Sequence, residues 1–217
     1  MKRLYFIYTI PDFYSKLYKP AMARSLDNRE DLDIRFSMDS SLVLDTLANG
    51  VVPPPVIKRK LLLLAQECVN SGADVIVVGC TAVNTATKEL ASMLDVPIIS
   101  VDEPMIQQVL KDGHKRIAVL SHTEINAATI QRRLLAENPD LVVDLYPAAG
   151  ASDLFNAGRI PEYHACLAEK AASIPEDYDA IMLGHISAED VDLSAIQVPV
   201  YRTGAACIRM IEELLNK

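Results

Sequence analysis

The chain has 217 residues, half of them hydrophobic and 23% charged, with a formal net charge of −8. That length allows one large domain or two small ones and buries about 70% of the surface an unfolded chain exposes, which excludes a disordered tail and a coiled-coil rod. The acidic surplus repels a nucleic-acid backbone or an anionic membrane, so the expected partner is a small molecule, with no nucleic acid and no membrane.

The start, MKRLYFIYTIPDFY, sets two basic residues before an apolar run, but Pro11 and Asp12 stop that run after about seven residues and no small-residue cleavage site follows. It reads as a strand, Leu4 to Ile10, followed by a helical pattern from Tyr14 to Leu26 and a strand from Leu32 to Met38. VVPPPV, Val51 to Val56, reads as a rigid extended connector into a helix from Ile57 to Ser71. Next come a strand (Val75 to Gly79), a helix (Asn84 to Met93), a strand (Pro97 to Val101) and a helix (Pro104 to Lys111). Further along are a strand (Arg116 to Ser121), a helix (Glu124 to Ala136), a strand (Leu141 to Tyr146) and a helix (Glu162 to Ser173). Strands at Ala180 to Gly184 and Pro199 to Arg202 and a last helix from Gly204 to Leu215 complete the alternation. The strands unbroken by charge are apolar on both faces, as a parallel sheet covered by helices requires, so the expected class is α/β. No stretch approaches a membrane span. Cys68, Cys80, Cys166 and Cys207 show no CxxC spacing and no metal-ligand pattern with the four histidines, which leads to the expectation of reduced thiols in a cytoplasmic protein without a metal.

An internal repeat organises these elements. KRLYFIYT begins at Lys2 and KRIAVLSHT at Lys115; in the same order DVIVVGCTA begins at Asp74 and DAIMLGHIS at Asp179, each followed by a Val-Pro pair. Cys80 and His185 therefore occupy matched positions at two strand tips. The pattern predicts two similar halves, 1–101 with 203–217 returning to it, and 102–202. Ligands of open α/β sheets bind outside the carboxyl ends of the strands, so Cys80 and His185 are expected to face one ligand from two sides of a cleft.

GCTAVNTA after a buried strand, VDEPM (Val101 to Met105) after the next, YTIPDF near the start and SHTEIN (Ser121 to Asn126) in the second half together resemble the aspartate/glutamate/hydantoin racemase superfamily. The resemblance covers essentially the whole chain. It implies cofactor-independent proton transfer at a carbon next to a carboxylate or carbonyl, performed by two cysteines on opposite faces of the substrate, in a chain that forms homo-oligomers, often dimers. The first cysteine of that pattern is Cys80; the second position holds His185, as other branches of the superfamily also replace one of the pair.

Removing a proton from such a carbon builds negative charge on oxygen, so the chemistry needs a base at carbon and donors at oxygen. Cys80 precedes a predicted helix, whose N-terminus is expected to lower its thiol pKa and leave it partly thiolate. His185, with an ordinary pKa of about 6.5, is the expected partner acid or base. Backbone N–H groups after each of them, at Ile186 and Ser187 in the second half, together with Thr81, Asn84 and Ser187 side chains, can hold the developing enolate. Thr9, Ser121 and Thr123, at the tips of the first strand of each half, are candidates for the remaining polar part of the ligand. Thr81 and Asn84 read equally as helix caps. The unlike pair suits a racemase or epimerase, a decarboxylase or cis-trans isomerase using Cys80 alone, or a small-acid binding protein. Of the remaining residues, Cys68, Cys166 and Cys207 read as core, His122 as a secondary candidate, and His114 and His164 as solvated. Phe13 or Tyr14 is a candidate pocket wall, Asp102 and Glu103 a hinge or helix start, and Arg202 either a carboxylate ligand or a structural ion pair.

Overall fold

The computed structural model describes residues 1–50 and 52–216; Val51, the first residue of the expected connector, and Lys217 lie outside the described residues. The chain divides into two units, Met1–Pro104 with the last helix from Cys207, and Met105–Ala206.

The first unit contains β1 (Lys2–Tyr8), α1 (Lys19–Ala21), α2 (Ala23–Leu26), β2 (Leu32–Met38), α3 (Ser41–Ala48), α4 (Pro55–Asn70), β3 (Val75–Val78), α5 (Asn84–Leu90) and β4 (Ile98–Ser100). Its four strands are all parallel, in the order β2-β1-β3-β4. β3 lies between β1 and β4, so all four of its side chains are buried, which is why VIVV shows no polar alternation. Pro55 opens α4, where its missing N–H costs nothing, and Ile57, Leu61, Ala65 and Cys68 form the buried stripe that packs on the sheet.

α6 (Glu103–Asp112) crosses the division, and β5 (Arg116–Ser121), α7 (Glu124–Glu137), β6 (Val142–Pro147), α8 (Ala151–Asn156), α9 (Ile160–Ala172), β7 (Ala180–Leu183), β8 (Val200–Tyr201) and α10 (Thr203–Leu215) follow. The second sheet, also all parallel, has the order β6-β5-β7-β8, the same as the first. The repeated residues do the same work in each unit. The Asp74 carboxylate accepts the Arg3 N–H at 2.6 Å, and the Asp179 carboxylate accepts the Arg116 N–H at 2.8 Å, latching the third strand of each unit to the first. At the other end, the Gly79 N–H donates to the Ile7 carbonyl and the Gly184 N–H to the Leu120 carbonyl, both at 2.8 Å.

Two departures from the expected elements have local causes. The single helix expected over Tyr14 to Leu26 is a wide turn (Tyr14–Tyr18) followed by α1 and α2, because Pro20 supplies no donor and Met22, at φ −131°, leaves helical geometry. α3 and α8 stand where no element is expected; at eight and six residues they are too short to display a periodic apolar face. The remaining expected strands and helices are present with ends shifted by two residues or fewer, except α5, which ends at Leu90 and passes into a 3₁₀ turn, Ala91–Met93.

Candidate active site

In each sheet the chain steps from the first strand to one side and then returns to the other. The order therefore reverses between β1 and β3, and between β5 and β7, and open α/β sheets bind ligands outside the carboxyl ends of strands at such points. Thr9 directly follows β1 and Cys80 follows β3 by two residues; Ser121 ends β5 and His185 follows β7 by two residues.

Cys80 is extended (φ −140°, ψ 114°) and leads into a single 3₁₀ turn, Thr81–Val83, before α5. Gly79 before it has no side chain because the Phe13 ring presses on that position. The Thr9 hydroxyl and the backbone N–H groups of Ala82 and Val83 act on Cys80 in the sense that favours the thiolate, and the Val83 N–H donates to the Cys80 carbonyl at 3.3 Å. Burial acts the other way and prevails, pushing the thiol up, and the Asp102 carboxylate adds to the rise. The expectation of a thiol lowered by a helix N-terminus is thus corrected. One three-residue turn carries little macrodipole, and the sulfur is packed against the core of the first unit.

Asn84, the first residue of α5, is buried and donates from Nδ2 to Asp102 Oδ2 at 2.6 Å. Its Oδ1 is buried with no hydrogen-bond partner among the described residues. No side chain caps α5 or the turn ahead of it, so neither Thr81, also buried, nor Asn84 is a cap.

His185 mirrors Cys80: extended (φ −156°, ψ 139°) and followed by the turn Ile186–Ala188. Its Nδ1 accepts the Ser187 backbone N–H at 3.3 Å and lies 2.7 Å from Ser187 Oγ. Ser187 Oγ in turn lies 2.5 Å from the hydroxyl of Tyr163, a fully buried ring in the first turn of α9. The His122 ring stands perpendicular to that of His185, with centroids 4.4 Å apart, and Phe155 flanks both. Burial holds His185 well below its ordinary pKa, with the neighbouring His122 acting in the same sense, and lowers His122 to about 4. His185 is therefore neutral across the working pH range, a correction to the expectation that it titrates near 6.5.

The turn after His185 is clamped from behind. Arg202 donates to the carbonyls of Ala188, Glu189 and Val191, and the Glu189 carboxylate accepts the Gly204 and Ala205 N–H groups at the start of α10. Arg202 thus clamps backbone carbonyls, and its charge also acts on the Glu189 and Asp192 carboxylates. Ile186 is buried within the turn, and Ser121 is buried at the end of β5. Thr123 is the N-cap of α7, its hydroxyl accepting the Asn126 N–H at 3.2 Å. Cys68 and Cys207 are buried, whereas Cys166 is only half-buried, its thiol 3.7 Å from the Ala149 carbonyl. His114 is not simply solvated: its Nε2 is 2.7 Å from the Tyr201 hydroxyl, which donates to Asp112. Among the described residues no cluster of His, Cys, Asp and Glu is arranged to hold a metal ion, and no helix is long and apolar enough to cross a membrane.

Two groupings emerge from the candidates named in the sequence: Thr9, Cys80 and the N–H groups after it in the first unit, and His122, His185 and Ser187 in the second. Tyr163 joins the second grouping and has no sequence signal of its own, because with Leu167 and Ala171 it reads as the apolar stripe of α9.

No curated protein matches the chain by sequence. Among solved structures, the fold is similar to aspartate racemase from Picrophilus torridus (TM-score 0.72, 12% identity, 99% of this chain and 94% of that one). It is similar also to glutamate racemase from Thermus thermophilus (0.70, 20%, 99% and 81%) and to allantoin racemase from Klebsiella pneumoniae (0.67, 15%, 100% and 88%). At these identities the likeness is one of fold. The family model for Asp/Glu/Hydantoin racemase matches residues 12–211, nearly the whole length over which the two repeated units run, and the chain belongs to that family of racemase-type isomerases.

Proposed function

We propose that the protein is a cofactor-independent racemase or epimerase that moves a proton at the carbon next to the carboxylate or carbonyl of a small acid or amino-acid derivative. Cys80 of the first unit and His185 of the second are its proton-handling groups. The observation that carries this reading is the setting of Cys80: a sulfur two residues beyond β3, at the reversal of strand order, with the Thr9 hydroxyl and the Ala82 and Val83 N–H groups acting to favour its thiolate. Those three donors favour a thiolate that burial otherwise opposes, and a desolvated thiolate is a strong base towards carbon. Family membership supports the same chemistry.

Asn84 narrows the substrate class. Its buried Oδ1 needs a donor, and a ligand N–H next to the reacting carbon supplies one. Amino acids and cyclic ureides such as hydantoins carry that N–H; a dicarboxylate with no amino or hydroxyl group next to the reacting carbon has no donor to offer. Thr81, Ser121 and Thr123, with the N–H group of Ile186, are the proposed contacts for the substrate's oxygens, and a cytoplasmic homo-oligomer is the proposed setting.

The test is a proton-NMR screen in deuterium oxide over free amino acids, hydantoins and substituted malonates. Label is expected to enter the carbon-bound position of at least one N–H-bearing compound with inversion of configuration. Cys80→Ser is expected to reduce that exchange by more than about a thousandfold while the melting temperature is kept. Exchange that survives in Cys80→Ser refutes the assignment; incorporation without inversion identifies a one-sided isomerase.

A further inference from the structure

His185 stands where the repeat has a thiol, yet it is neutral and its Nδ1 is already engaged. Two proton orders fit the distances along Tyr163, Ser187 and His185. In one, Tyr163 donates to Ser187 Oγ and Ser187 donates to His185 Nδ1; in the other, each donation is reversed. The Ser187 backbone N–H is aimed at Nδ1, which requires a lone pair there. The reversed order also leaves the O–H of the fully buried Tyr163 without an acceptor among the described residues, at the full desolvation cost of that donor. Both considerations select the first order, with the remaining proton on Nε2.

We infer that Tyr163 and Ser187 form a hydroxyl relay that fixes His185 as the Nε2–H tautomer and stands behind it as a proton source, so that the three act as one acid in place of a second thiol. The inference rests on the reading of His185 as a proton-handling group. When the carbon-bound proton has gone to the Cys80 thiolate, forming S–H, His185 Nε2 gives its proton to the resulting carbanion. Nδ1 then takes the Ser187 hydroxyl proton and Ser187 Oγ takes that of Tyr163. The electron pair ends on the Tyr163 oxygen, and the negative charge has passed from sulfur to phenolate with no proton gained or lost. Reversal returns it.

The relay answers a chemical difficulty. A neutral imidazole is a weaker acid than a phenol, so His185 alone would be left as an imidazolate. Burial raises the Tyr163 phenol to about 12, and the hydrogen bond with Ser187 works against that rise, favouring a phenolate at the end of the chain. The His122 and Phe155 rings pack against the His185 ring. Tyr163 and Ser187 are positioning residues; neither needs to touch the substrate. Ser187, a candidate for holding the developing enolate by side chain, is thereby reassigned to His185, its N–H and hydroxyl both directed at Nδ1.

The experiment has two arms. Nitrogen-15 NMR of histidine-labelled protein without ligand, with the His185 signals assigned by their loss in His185→Gln, is expected to show the Nε2–H tautomer at pH 7. Ser187→Ala is expected to shift it towards a mixture, and Ser187→Thr to restore it. An Nδ1–H tautomer or an imidazolium in the wild type, or a tautomer indifferent to Ser187→Ala, overturns the fixed donor. In the second arm, the same amino acids, hydantoins and malonates are incubated in deuterium oxide. Tyr163→Phe, which removes only an oxygen from the buried ring, is expected to keep Cys80-dependent deuterium incorporation within about threefold while inversion falls at least about tenfold. Equal loss of both, or of neither, overturns the relay. If no compound exchanges even with the wild type, the proposed function fails and the proton-source role with it, while the first arm still decides the tautomer.

Discussion

Cys80 sits between opposing influences, and their balance sets how the rate must respond to pH. Three donors favour the thiolate, burial and Asp102 oppose it, and burial is the largest of these, so the thiol stays above its ordinary value. A reaction that needs the thiolate in the free protein then gains speed roughly tenfold per pH unit through neutrality and keeps rising beyond pH 8.5. His185 and His122, both held below their ordinary range, contribute no inflection near pH 6.5. Measuring kcat/KM between pH 6 and 9.5 checks this; a plateau by pH 7.5 contradicts it. Thr9→Val removes one of the three donors and is expected to move the rise further to the alkaline side. The matched positions of Cys80 and His185 were legible in the sequence because a repeat aligns residues whatever their environment. Their proton affinities were not, since these depend on atoms brought in from Thr9, Asp102 and His122. Tyr163 was hidden for a different reason: a tyrosine at i with Leu167 and Ala171 at i+4 and i+8 is the pattern of any core-facing helix, and only its hydroxyl partner distinguishes it.

The elements that carry these residues depend on close contacts at the glycine between each strand and its turn. A Cβ on Gly79 would come within 2.5 and 2.7 Å of two carbons of Phe13, a ring buried beneath it and stacked on Tyr8, with centroids 5.0 Å apart. At Gly184 the nearest atom would be the Ser121 Cβ at 3.1 Å. Overpacking of the first kind costs about 1–3 kcal/mol. In the second case a shift of a few tenths of an ångström suffices, and the entropy lost by the unfolded chain offsets about 0.4–1 kcal/mol of the strain. Thermal melts are expected to place Gly79→Ala below Gly184→Ala, with the latter close to the parent; the reverse ranking contradicts the packing. Strands were readable because uniform burial turns VIVV and AIML into unbroken apolar runs. The short helices α3 and α8 were not, since less than two or three turns cannot display a periodic face, and the Tyr14 to Leu26 segment misled because its aromatic spacing masks the break at Pro20.

Across the whole molecule the same strand order occurs twice, but the two strand tips bury different chemistry, and this makes their acid stability unequal. His122 has a folded pKa of about 4 against about 6.5 when unfolded, so between those values the unfolded chain binds the extra proton. The contribution of the neutral ring is fully present above pH 6.5 and lost as pH falls towards 4, up to about 3 kcal/mol for His122 alone. His185, lowered further, acts in the same direction. Glu189 acts in the opposite one, because burial pushes its carboxyl up and protonation relieves that cost. Comparing His122→Gln with the parent isolates the imidazole: the variant, neutral at every pH, is expected to lose less stability between pH 7 and pH 4.5. Amide exchange, corrected for intrinsic rates, is expected to accelerate in the parent at β5 and β7 more than at β1 and β3 over that interval. Equal acceleration in both sheets, or a His122→Gln profile parallel to the parent's, is incompatible with two buried neutral imidazoles at the tip of the second sheet.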